Sequence, residues 1–111
     1  MGTYDMFATE KDEEGNRTYD QVKAFHCKMI SYEIGDTVYL KGLENYMNCD
    51  IATVEGHILK IRNGVYVGWR RMEKNEFQIE PDYSLFCYHT FKNNYNTEPG
   101  VQIIDKYGHN I

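Results

Sequence analysis

The sequence predicts a small all-β domain, an antiparallel barrel or sandwich of about seven short strands arranged around a central Asn-Gly hairpin. Three observations predict it. Asn63-Gly64 lies between two runs, 58–62 and 65–69, that are rich in β-branched and aromatic residues. A two-residue type I′ turn needs positive φ at both central positions, which Asn and Gly tolerate at little steric cost. Turn-forming residues recur at short intervals along the chain, and no segment sustains a helical apolar period.

Each element follows from local pattern. A strand is predicted at 3–8, then a polar turn at 10–17 centred on Glu14-Gly15-Asn16. The alternation of 18–25 predicts a second strand that pairs with the first as a hairpin. Gly35-Asp36 breaks the chain before a strand at 37–41, and 42–50 reads as a loop or a single helical turn. The central hairpin is predicted over 51–62 and 65–72. Counting outward from its turn sets Arg62 opposite Val65, Ile61 opposite Tyr66, Lys60 opposite Val67 and Ile58 opposite Trp69. Ile58, Val65, Val67 and Trp69 then share one face, with Leu59, Ile61 and Tyr66 on the other. A ribbon apolar on both sides is either sandwiched in the fold or used for contact. Further strands are predicted at 76–80, 84–91 and 101–105, with a polar loop at 92–100 and a mobile tail at 107–111.

With 111 residues, 41% apolar and 26% charged, the chain predicts one globular domain over 1–111 that buries a core without disulfides or metal. No apolar run approaches a membrane span and no leader pattern opens the chain, so a cytoplasmic, non-membrane protein is expected. Cys27, Cys49 and Cys87 are odd in number and unpaired in spacing, which fits a reducing compartment. The net charge is −5, with six acids against two bases in residues 1–20. An acidic chain repels phosphate backbones, so direct nucleic-acid binding is not expected, and the short Arg70-Arg71 step does not reverse that.

Groups that carry chemistry are few. Cys87-x-His89 puts two metal-capable side chains on one face of a predicted strand, and His26, Cys27 and Cys49 are further candidates. Structural zinc sites draw their ligands from close-spaced pairs on tight turns, and none occurs here. No metal or cofactor is expected. A nucleophilic thiol needs a base and an orienting third group. Cys87 and His89 supply proximity alone, and His26 and Cys27 point to opposite faces if extended. Glu10, Asp12, Glu13 and Glu14 read as a solvated turn or as a contact patch for a basic partner. Tyr88, Phe91 and the Asn93-Asn94-Tyr95-Asn96 loop combine aromatic anchors with adaptable amides, as recognition loops do.

The opening Met1-Gly2-Thr3-Tyr4-Asp5, with Gln21-Val22-Lys23, Cys27, Tyr32 and Gly35-Asp36, resembles a group of small phage and prophage proteins. The likeness covers about the first third of the chain. Many of those proteins carry Cys-x-x-Cys pairs of zinc-ribbon type, whereas residues 8–18 here contain no cysteine. The resemblance implies a virus-encoded accessory product acting in bacterial cytoplasm, with no reaction attached. Separately, Gly35-Asp36-x-Val38, Gly56-x-Ile58 and the Asn-Gly hairpin are similar to the strand pattern of KOW-type barrels, which bind proteins or nucleic acid through loops. The sequence therefore predicts a non-enzymatic protein that binds and inhibits a host bacterial protein, a defence or nucleic-acid-processing factor. Glu10, Asp12, Glu13, Glu14, Tyr66, Trp69, Asn93, Asn94, Tyr95 and Asn96 are the expected contacts. Two alternatives stand beside it: a self-associating structural or virion component, and a small-ligand binder or hydrolase using Cys87 and His89.

Overall fold

The structure, a computed structural model, describes residues 3–25, 27–38, 47–73, 98–105 and 107–108. Every regular element among them is a β-strand: β1 (Asp5–Lys11), β2 (Arg17–Val22), β3 (Ser31–Tyr32), β4 (Cys49–Ala52), β5 (His57–Arg62), β6 (Val65–Arg71) and β7 (Gln102–Ile104). They form a three-stranded sheet in the order β2-β1-β3 and a four-stranded sheet in the order β6-β5-β4-β7. The predicted strands at 76–80 and 84–91 lie outside the described residues.

Turn chemistry explains the chain reversals. Between β1 and β2, Asp12 Oδ1 accepts the backbone N–H groups of Glu14 (2.9 Å) and Asn16 (2.8 Å), an Asx-type turn. Asn63 (φ 53°) and Gly64 (φ 76°) connect β5 to β6, with Arg62 opposite Val65. After β2 the chain turns through Cys27 (φ 54°) and Met29 (φ 60°), two non-glycine residues in the left-handed region. The fully buried Asp5 carboxylate holds this stretch by accepting the N–H groups of Cys27, Lys28 and Ile30 at 3.0–3.1 Å. That network steers the chain into β3, which pairs with β1 in parallel. The segment beyond β3 then runs along β6. Gly35 N–H donates to the Tyr66 carbonyl and Tyr66 N–H to that of Asp36, at 2.7 and 3.0 Å.

The two sheets share one core. Phe7 and Val22 come from β1 and β2, Tyr32 from β3, and Cys49, Ile51, Leu59, Ile61, Tyr66 and Ile104 from the four-stranded sheet. Phe7 sits among three aromatic rings: stacked on Tyr32 at 4.9 Å, edge-on to Tyr66 at 5.1 Å and tilted against Phe25 at 5.9 Å. The Tyr66 hydroxyl donates to the Ala8 carbonyl at 2.6 Å and so ties the sheets together through a buried hydrogen bond.

The structure corrects the expected fold in several places. The described strands do not close into a barrel, and the sheets are mixed rather than antiparallel. β1 pairs with β3 and β4 with β7 in parallel, geometries that long connections permit and tight hairpins do not. The expected strand at 51–62 is a hairpin of its own, broken at 53–56 by a turn that ends in Gly56 (φ 95°). Residues 49–50, read as part of a loop or a single helical turn, belong to β4. The expected pairs Lys60–Val67 and Ile58–Trp69 do not form. Val67 is an extra residue in β6, so Lys60 faces Gly68 and Leu59 faces Trp69. A one-residue slip moves side chains to the other face, and Trp69 accordingly packs against the core.

Two substitutions test this core. Phe7→Ala removes the ring common to all three aromatic contacts and is expected to cost about 3–5 kcal/mol. Tyr66→Phe keeps the ring but strands a buried carbonyl, for about 1–3 kcal/mol. Urea unfolding of both variants measures the difference.

Candidate functional site

At one end of the shared interior the apolar core gives way to a chain of polar side chains. Asp20 of β2 is 2% exposed and accepts hydrogen bonds from three separate elements. Thr9 Oγ1 of β1 donates to Oδ1 at 3.2 Å, and Thr53 Oγ1 of the 53–56 turn donates to Oδ2 at 2.7 Å. His57 Nδ1 of β5 lies 2.6 Å from the same Oδ2. On the other side of the imidazole, Nε2 lies 2.6 Å from Glu10 Oε2, and Arg71 donates to the second oxygen of Glu10. The result is an alternating line of charge, Asp20–His57–Glu10–Arg71, that crosses from one sheet to the other. Trp69 closes one side, with its ring edge-on to His57 at 5.1 Å.

Local backbone geometry assembles this line. Strict alternation from Asp5, Phe7 and Thr9 turns Glu10 away from the interior. The β1–β2 register shifts between Ala8 and Lys11, with Lys11 facing Arg17, so Thr9 and Glu10 together oppose Thr18. Such a bulge turns a side chain out of alternation. The extra residue at Val67 does the same in β6 and places Trp69 and Arg71 on the side of His57. Thr53 holds the base of the site. Its N–H donates to the His57 carbonyl at 3.0 Å, and its hydroxyl accepts the His57 N–H at 3.1 Å. A further link joins the turn to the first sheet, where the Gln21 N–H donates to Glu55 at 3.0 Å.

Electrostatics follow from this placement. Burial of His57 opposes its protonation, but hydrogen bonds to Glu10 and Asp20, with the charges of both, prevail and raise its pKa above the ordinary imidazole value. The hydrogen bond from His57, followed by that from Arg71, holds Glu10 below the usual carboxylate range. With a carboxylate against each ring nitrogen, both nitrogens donate only in the imidazolium form. As arranged, His57 has no nitrogen left to take a proton from a serine or cysteine, which the triad geometry demands.

The sequence-derived candidates fall in different places. Of the expected contacts, Glu10 belongs to the polar line, while Asp12, Glu13 and Glu14 are exposed in the β1–β2 turn. Tyr66 is 0% exposed and its hydroxyl is bonded to Ala8, so it cannot present a contact surface; Trp69 is half-buried against the core and His57. Tyr66 is thereby corrected to a core residue, and Trp69 keeps part of its ring exposed. Cys49 is buried, and desolvation together with the neighbouring Asp50 charge pushes its thiol up to about 12, far from a nucleophile's range. Cys27 turns its Sγ toward the Lys23 carbonyl at 3.4 Å. His26, Cys87, His89 and the loop residues Asn93, Asn94, Tyr95 and Asn96 lie outside the described residues. Among the described residues, no group of three or more His, Cys, Asp or Glu side chains is placed to hold a metal ion.

Sequence reasoning missed Asp20, Thr53, His57 and Arg71. The available signal was an Asp in the apolar alternation of β2 and a His opening a β-branched run. No family model, curated protein or solved structure matches this chain.

Removing the central carboxylate tests the arrangement. Asp20→Ala leaves His57 Nδ1 without its carboxylate and the Thr9 and Thr53 hydroxyls with only their longer contacts to Thr18 and the His57 carbonyl, and is expected to cost about 3–5 kcal/mol. Arg71→Ala, at the exposed end of the line, should cost less than about 1 kcal/mol. Chemical denaturation gives both values, and equal losses would contradict the buried position of Asp20.

Proposed function

We propose that this chain is a non-enzymatic, phage-encoded accessory protein that binds and inhibits a host bacterial protein. The supporting observation is where its exposed apolar side chains lie. Ile34 and Val67 are 50% and 46% exposed, and they flank the hydrogen bond from Gly35 to Tyr66. Val67 owes its outward position to the bulge in β6. Met47, 40% exposed, adjoins the neighbouring turn, where the Gly64 N–H donates to its carbonyl. Exposed apolar side chains grouped in this way favour a protein contact over a solvated surface.

Two further features support the reading. The exposed acids Asp12, Glu13 and Glu14 extend from β1, whose Glu10 is bound to Arg71 at the end of the same β6. An acidic turn and an apolar ridge reached from opposite ends of β6 suit a partner whose apolar site has a basic rim, and the net charge of −5 disfavours nucleic acid itself. The polar line around His57 is internally satisfied, which favours a scaffold role for it over catalysis. The phage origin rests on the resemblance of the first third of the chain.

The contact face is tested by capture from bacterial lysate with three immobilised proteins: wild type, Ile34→Asp/Val67→Asp, and Asp12→Lys/Glu13→Lys/Glu14→Lys. A partner retained by wild type should be lost with the first variant, since it buries two unpaired carboxylates in an apolar contact. It should be weakened with the second. A partner retained equally by all three removes the proposed face. Light scattering separates the self-association reading: concentration-dependent dimers abolished by Ile34→Asp/Val67→Asp would replace host binding with assembly.

A further inference from the structure

We propose that His57 is a proton-operated latch between the two sheets, closed while both ring nitrogens carry hydrogen and opened on the Glu10 side when Nε2 loses its proton. The geometry leaves little alternative. A neutral imidazole has one donor and one acceptor nitrogen, yet each nitrogen of His57 faces a carboxylate oxygen at 2.6 Å. Once a proton leaves, one carboxylate confronts a lone pair and must move.

Burial decides which one. The Asp20 side chain is 3% exposed and already holds the Thr9 and Thr53 hydroxyls, so the remaining hydrogen stays on Nδ1. The Glu10 side chain is 29% exposed and has Arg71 as a second partner. It is the one free to swing outward, and the departing proton passes to solvent at that end. The charged groups in the line through His57 are Glu10 from β1, Asp20 from β2 and Arg71 from β6, while Glu55 of the 53–56 turn accepts the Gln21 N–H instead. Arg17 of β2 donates to the Thr9 carbonyl at 2.9 Å. Two acids and one arginine thus meet in the line through His57, and its proton balances them.

The direction of the pH response follows. The His57 pKa is raised from an ordinary 6.5, so its contribution to stability is complete below that pH and is lost as pH rises through the raised value. The Glu10 pKa is lowered from 4.5, so its contribution is present above that pH and is lost on acidification. The latch is therefore tightest between these two ordinary values and opens on the alkaline side by loss of the imidazole proton.

Long-range proton–nitrogen NMR of the histidine rings tests this, with His57 assigned by its absence from His57→Gln. At about pH 6 both His57 nitrogens should carry hydrogen, and on raising the pH Nε2 alone should lose it. Trp69, the one tryptophan of the chain, gives a second readout. Imidazolium quenches indole emission, so fluorescence should rise over the same pH range in wild type and stay flat in His57→Gln. Between about pH 6 and 9 the wild-type Tm should fall by roughly 4–8 °C. Glu10→Gln supplies an amide that donates to the neutral Nε2, so its Tm should change little over that range. A His57 ring carrying a single hydrogen at the lower pH overturns the proposal. So does a Glu10→Gln variant whose Tm falls in parallel with wild type. If that variant does not fold, the wild-type NMR titration decides alone.

Discussion

A carboxylate taken out of water must find donors, and Asp20 sets the terms on which the two sheets meet. It lies on β2, yet its hydrogen-bond partners come from β1, from the turn after β4 and from β5. A shift of any of the three takes a donor away from a buried carboxylate. Pairs of this kind seldom add net stability over a well-packed apolar substitute, because desolvation offsets their attraction. Their contribution is register. The aromatic group around Phe7 supplies bulk attraction but is tolerant of small slides, whereas the Asp20 network admits one alignment. The Tyr66 hydroxyl on the Ala8 carbonyl adds a second fixed point within the same core.

The polar line exists because both sheets depart from ideal pairing at matching places. One extra residue in β1 turns Glu10 inward, and one in β6 carries Trp69 and Arg71 to the same side. Each irregularity gives up a regular ladder position, and both deliver their side chains to His57. The β6 bulge has a second effect, since it leaves Val67 outside. The inserted position in β6 thus both helps to build the interior line and leaves an apolar side chain outside.

The legible and illegible parts of the sequence divide along physical lines. Reversals written in a few adjacent residues, such as Asp12 to Asn16, could be located because local hydrogen bonding decides them. The all-β character was equally readable from alternation and β-branched composition. Alternation fails where a bulge intervenes, so the face of Trp69 was misassigned although its strand was identified, and Glu10, read as part of the turn, belongs to β1. The parallel pairings were hidden for another reason: they join residues far apart, and no local signal marks them. Asp20, Thr53 and His57 look like ordinary strand and turn residues, since their significance comes from meeting across separate sheets. Tyr66 was read as a surface anchor because an aromatic on a two-sided apolar ribbon fits either role.

Parallel pairing of β4 with β7 places Cys49 beside Gln102 and Ile51 beside Ile104. During synthesis the four-stranded sheet thus waits for more than forty intervening residues before its far edge is covered. Until then the nascent β4 offers unsatisfied peptide groups along one side, next to a strongly apolar ribbon. An emerging chain in that state is a substrate for holding chaperones and for strand exchange with a neighbouring copy. The sheet edge is thus open for longer in the growing chain than its finished pairing suggests.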